Sequence, residues 1–175
     1  MPRSTILVTA TLALLAGRGA AAMTLTSSDI RPNGPIPAAQ IYPRCGGQNV
    51  SPQLSWSGAP ARTKSLVLTM IDLDVRPALW SHWIVVDLPP AASGLARGVK
   101  QLPGGAAAVA GNFGDAAYDG PCPPNGTGVH RYQFTIWAVP TATTVIAPDA
   151  KASDIGPRLS RSALDKASLT GWVKR

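Results

Sequence analysis

From His130 to Val139 the chain alternates as a predicted strand, with His130, Tyr132, Phe134, Ile136 and Ala138 on one side and Arg131, Gln133, Thr135 and Trp137 on the other. A period of two belongs to a β-strand, where successive side chains point to opposite faces. A strand with one apolar face needs a sheet to lie in and a second layer to cover that face, so this segment directs the fold toward packed β layers. The stretch before it, Tyr118 to Gly128, reads as a shaped loop. Pro121, Pro123 and Pro124 fix φ there, while Gly120, Gly126 and Gly128 permit turns. A rigid loop thus delivers His130 to the head of a half-apolar strand, a good position for holding a ligand.

Shorter segments of the same kind recur between Pro and Gly. Strands are predicted at Gln53–Trp56, Ser65–Asp72 and His82–Leu88, with Thr24–Ser27 and Trp172–Lys174 as edge pieces. One helix is predicted, starting near Pro157 with Gly156 as N-cap and turning Leu159, Ala163, Leu164 and Ala167 to the core. Residues 91–117 are Gly- and Ala-rich without period and read as a long surface connection. The expected fold is mainly β: two packed antiparallel sheets in a Greek-key-like sandwich with a few peripheral helices.

The strand ends carry the chemistry. The face of Leu66, Leu68 and Met70 continues into Asp72 and Asp74, and His82 is predicted to share a face with Ile84, Val86 and Leu88. Buried charge is costly unless partnered. Three strands that each end in an ionisable group on the inward side therefore predict a cluster of Asp72, Asp74, His82 and His130. The competing reading from spacing alone is four separate strand-end residues, each satisfied locally.

Residues 1–22 have the form of a secretory leader: Met-Pro-Arg, an apolar run from Ile6 to Ala16, then small residues that place the cut after Ala22. The run is too short for a transmembrane span, which needs about 20 residues. Residues 23–175 suit a single domain. The formal net charge of +7 falls by two when Arg3 and Arg18 leave with the leader. The remaining Lys and Arg are scattered without interleaved aromatics, which argues against a nucleic-acid partner. Every acid is Asp, so the zinc-protease pattern His-Glu-x-x-His is absent. In an exported chain the simplest reading of Cys45 and Cys122 is a disulfide, with two separate buried thiols as the alternative.

Taken in order, Gly34-Pro-Ile-Pro37, Gly47-Gln-Asn-Val-Ser-Pro-Gln-Leu-Ser-Trp56, Lys64-Ser-Leu66, Asp72-Leu-Asp74, His82-Trp-Ile-Val-Val86, Tyr118-Asp-Gly-Pro-Cys-Pro-Pro124 and Gly126-Thr-Gly-Val-His-Arg-Tyr132 resemble the phosphatidylethanolamine-binding protein family, also called Raf kinase inhibitor-like, in its bacterial branch. The resemblance implies a two-sheet β domain with a small anion pocket formed by Asp72, Asp74, His82, His130 and the loop bearing Tyr118, Gly120, Pro121, Pro123 and Pro124. Two departures stand out. The family usually has Asp-Pro-Asp where this chain has Asp72-Leu73-Asp74, which leaves Asp74 less rigidly aimed, and Gly171-Trp172 stands where bacterial relatives tend to have Gly-x-Tyr.

An imidazole beside a carboxylate favours its protonated form, so His82 and His130 are expected to offer N–H donors to a phosphate or carboxylate, helped by backbone N–H groups of the loop. The resulting expectation is an exported protein that binds a small anion or phospholipid head group, with an inhibitory or regulatory role open to it and no catalytic residue, metal or cofactor. The rival is a hydrolase, metal-dependent or otherwise, that uses the Asp/His cluster. A protein partner and a homodimer stay open.

Overall fold

The computed structural model describes residues 22–144, 146 and 152–175. Strands β1 (Thr24–Thr26), β2 (Leu54–Ser57) and β5 (Gly94–Leu95) form a small antiparallel sheet in the order β1-β2-β5. The larger sheet runs β6-β4-β3-β7-β8, built from β3 (Ser65–Asp72), β4 (Trp80–Leu88), β6 (Ala107–Val109), β7 (Val129–Val139) and β8 (Asp165–Lys174), all pairs antiparallel. The inner side chains interdigitate between the sheets: Leu25, Leu54, Trp56 and Leu95 from the small sheet meet Leu66, Leu68, Met70, Phe134 and Ile136 from the large one. Each of these side chains contributes about 1.5–3 kcal/mol by leaving water. The expected two-sheet β architecture is what the chain adopts.

The large sheet is covered on its outer face as well. The helix α1 (Ala152–Ser162) lays Ile155 and Leu159 against Val67, Ile84, Val86, Trp137 and Val139 in a second apolar cluster. The helix begins earlier than Pro157, and Gly156 and Pro157 lie inside it. Leu159 and Ala163 do pack on this cluster, whereas Leu164 and Ala167 lie against the inter-sheet core, Ala167 from within β8. Two further strands, β5 and β6, interrupt the segment 91–117 that reads as a plain connection. At the C-terminal side, β8 pairs with β7 along its whole length and is much longer than the predicted Trp172–Lys174.

The face assignment in β4 also needs correction. Ile84 and Val86 belong to the helix side, while Trp83, Val85 and Leu88 belong to the inter-sheet core. The pairing with β3 explains this. Met70 sits opposite Trp83 and Ile71 opposite Ser81, so His82 is an extra residue on β4, and a second irregularity falls near Asp87 at φ 58°. A bulge leaves its extra residue unpaired and re-aims its side chain. It puts the His82 ring beside Tyr132 on the inter-sheet side, and Ile84 and Val86 do not share that side.

Candidate functional site

One end of the large sheet gathers the end of β3 and the starts of β4 and β7, and with them Asp72, His82 and His130. The β3–β7 register runs without a slip from Ser65 opposite Val139 to Asp72 opposite Tyr132, which keeps Asp72 on the inter-sheet face next to His130. His130 Nδ1 and Asp72 Oδ2 are 2.8 Å apart, and both residues are buried. The second carboxylate oxygen, Oδ1, accepts the Asp74 backbone N–H at 2.9 Å. Asp72 therefore holds its own turn and fixes the tautomer of His130, with Nδ1 as donor.

The partner of His82 is of a different kind. Its Nδ1–H donates to the backbone carbonyl of Asp119 at 2.8 Å. Burial pushes its pKa below the ordinary histidine value of 6.5, against the opposing pull of that carbonyl and of Asp72. At neutral pH His82 is therefore uncharged with its lone pair on Nε2. This corrects the expectation of two carboxylate-supported imidazolium groups. No hydrogen bond of either Nε2, of His82 or of His130, to a protein atom is seen among the described residues, although the Gly120 backbone also lies close to the His82 ring.

Tyr132 completes the group. Its ring meets that of His82 edge to face at 5.1 Å, and its hydroxyl is buried near the Asp72 carboxylate and the Cys122 N–H without a well-formed hydrogen bond to either among the described residues. Burial first and the Asp72 charge second hold the phenol well above its ordinary pKa, so it is a neutral O–H donor. Sequence pattern shows Tyr132 only as one more residue of the apolar face of β7. The other residue missed is Phe113, 39 % exposed, whose ring lies 5.2 Å from His82, 5.4 Å from Tyr42 and 5.9 Å from Trp80. It sits in the Gly- and Ala-rich segment, where no periodicity marks it.

Asp74 goes elsewhere. Its carboxylate takes the Arg131 backbone N–H at 2.8 Å and the guanidinium at 2.7 and 2.9 Å, on the face of β7 opposite the histidines. These bonds, chiefly the side-chain pair, lower its pKa to about 2. Arg131 thus aims the carboxylate that lacks a neighbouring proline, and sequence spacing gives no sign of that pairing. Trp172 donates its indole N–H to Asn33 O at 3.0 Å and so ties the N-terminal segment to β8.

The loop is shaped mainly by its fastenings. Asn49 donates to Tyr118 O at 3.0 Å and accepts the Gly120 N–H at 2.7 Å, the Tyr118 hydroxyl donates to Gln40 O at 2.9 Å, and the Tyr118 ring packs on Trp83. Tyr118 and Gly120 therefore anchor the loop. A Cβ on Gly120 would collide with Gln40 O and lie 2.7 Å from the Tyr42 amide nitrogen, which is why this position has none. Cys45 and Cys122 are joined, which ties the Pro43–Cys45 turn to the loop with Cα atoms 5.5 Å apart. Pro121, Pro123 and Pro124 have no N–H, and the Asp119 N–H goes to His82 O at 3.0 Å. The loop accordingly offers fewer backbone donors than its glycines promise; the Cys122 N–H lies beside the Tyr132 phenol.

Fold and site together define a two-sheet β protein with a buried Asp–His pair, a second imidazole and a buried phenol at one end of its larger sheet. The chain belongs to the phosphatidylethanolamine-binding protein family, whose model matches residues 26–174. It is similar to a UPF0098 protein of Methanothermobacter thermautotrophicus, 35 % identical over 87 % of this chain and 99 % of that one. A putative lipoprotein LppC of Mycobacterium tuberculosis is 36 % identical over 85 % of this chain and 71 % of its own length. Among solved structures, that of Escherichia coli YbcL, described as a new member of the mammalian PEBP family, superposes with a TM-score of 0.81 at 31 % identity, covering 89 % of this chain and 99 % of that one.

Proposed function

We propose that the chain binds a small phosphorylated anion, of the kind a phospholipid head group presents, at the group formed by Asp72, His82, His130 and Tyr132. The observation that carries this reading is the buried Tyr132 hydroxyl, which makes no well-formed hydrogen bond among the described residues and stands beside two histidine rings whose Nδ1 atoms are both taken by protein groups. Buried polar groups without partners are rare and mark positions where a ligand or water completes the bonding. The Tyr132 O–H, and the His130 Nε2–H when that ring carries its second proton, donate to phosphate oxygens. Neutral His82 Nε2 accepts from a ligand hydroxyl or ammonium. The complementary ligand therefore carries a phosphate and a donor, as phosphoethanolamine does.

A binding module is favoured over a hydrolase because both carboxylates that would form a metal centre hold protein groups, Asp72 with His130 and Asp74 with Arg131. The proposed leader falls almost wholly outside the described residues. Export is supported by the disulfide and by the name of the mycobacterial relative. Among the described residues no helix is long and apolar enough to cross a membrane. Calorimetric titration of phosphoethanolamine into the wild type and His130→Ala tests the reading: binding that is lost in the variant supports it, and equal affinity in the two proteins refutes it.

A further inference from the structure

Beside the histidine group lies a cavity of about 320 Å³ bounded by Tyr42, Arg44, Phe113, Arg175 and the Cys122–Pro124 segment. Its charged side chains are two arginines; no Asp side chain lines it, and the terminal carboxylate belongs to Arg175 itself. The ion pairs among the described residues join Arg97 to Asp29, His130 to Asp72 and Arg131 to Asp74, so neither Arg44 nor Arg175 is neutralised by an acidic side chain. Arg175 Nη1 lies against Cys45 Sγ and donates to Pro123 O at 3.3 Å, neutral contacts that hold the guanidinium in place without an acidic side-chain partner. Two guanidinium forks without an acidic side-chain partner, set against aromatic and proline walls, suit an anionic group, because a low-dielectric wall strengthens the field and guanidinium matches phosphate geometry.

The cavity is not independent of the histidines. The Phe113 ring that walls it also stands 5.2 Å from the His82 ring, and Cys122 belongs both to the cavity wall and to the loop beside Tyr132. We propose that the space between Arg44 and Arg175 is a second anion subsite of the same binding region, so that the ligand class is a molecule with two anionic groups separated by a spacer about as wide as an aromatic ring. This rests on the histidine group being the first anion site.

The test uses two probes on one scaffold, fructose 6-phosphate and fructose 1,6-bisphosphate, with inorganic phosphate as the reference, titrated calorimetrically into the wild type and Arg44→Gln/Arg175→Gln. Both arginines are exposed, so the double variant keeps its fold, which a thermal melt checks. The wild type should bind the bisphosphate about tenfold or more tightly than the monophosphate, the size of one charge-assisted hydrogen bond. The double variant should lose that preference while binding inorganic phosphate as before. Equal affinity for the two sugar phosphates, with phosphate still bound, overturns the second subsite and leaves the first standing. A bisphosphate preference that survives the double substitution overturns it too. If inorganic phosphate does not bind the wild type, the first site falls and the second with it.

Discussion

Replacing Asp72 with Asn keeps the side-chain shape and removes a charge from a nearly sealed pair, since Asp72 is 2 % and His130 5 % exposed. Both carboxylate oxygens accept, Oδ2 from His130 Nδ1 and Oδ1 from the Asp74 N–H, so the amide NH2 of Asn must face a donor on one side or the other. One bond is lost whichever way the amide turns, unless the imidazole changes tautomer. A hydrogen bond to a charged group is worth about 1.5–3 kcal/mol, and the burial of the partner left behind favours the upper part of that range. The expected loss is about 2–3 kcal/mol, a fall in Tm of roughly 5–10 °C for a chain of this size. Urea unfolding of the wild type, Asp72→Asn, His130→Ala and the double variant at pH 7 isolates the pairwise energy. If Asp72→Asn costs the same in both backgrounds, within about 0.5 kcal/mol, the two groups are uncoupled and the pair does not organise the site.

Other outcomes follow from the loop. Asp119 is buried, and its carboxyl is pushed up to about 7, first by burial and then by Asp115. Between about pH 4 and 7 the folded form holds a proton that the unfolded chain has already released, so this contribution to stability is fully present below about pH 4 and is lost as pH rises through 7; Asp119→Asn should flatten the decline in unfolding free energy between about pH 4 and 7, and an unchanged slope would contradict this. Gly120→Ala forces a Cβ into the Gln40–Tyr42 backbone and should cost more than about 2 kcal/mol in urea unfolding, whereas a neutral result would mean the loop yields freely. Removing the disulfide with Cys45→Ser/Cys122→Ser frees a loop closed across 77 residues, for which chain entropy gives about 4.5 kcal/mol as an upper figure; unaltered stability would refute that role.

What was legible in the sequence depended on signal strength along each strand. β7 is readable throughout because large apolar residues alternate with polar ones for its whole length. β8 is not, because its inward positions include Ala167 and Gly171, too small to register as an apolar face. The helix start is misplaced because Pro157 reads as a first-turn residue, yet it sits within the helix. In the site, Asp72, His82 and His130 stand out as ionisable groups that end apolar strands, and the folded chain brings them together. The route differs for His82, which reaches the others through a bulge that leaves no mark in the residue pattern. Arg131, Tyr132 and Phe113 were hidden for separate reasons: one reads as a solvated face, one as core, and one as loop.

The central claim is that Nε2 of His130 contacts the bound phosphate and Nε2 of His82 accepts from a hydroxyl or ammonium of the same ligand, while each Nδ1 stays on its protein partner. Heteronuclear NMR of the imidazole nitrogens in 15N-histidine-labelled protein, followed through a titration with phosphate and then with phosphoethanolamine, reads those atoms directly. The account predicts that both Nε2 resonances move in a saturable way while the two Nδ1 resonances stay nearly fixed. Nε2 resonances that do not respond at saturating ligand, or a response confined to the Nδ1 atoms, would contradict it.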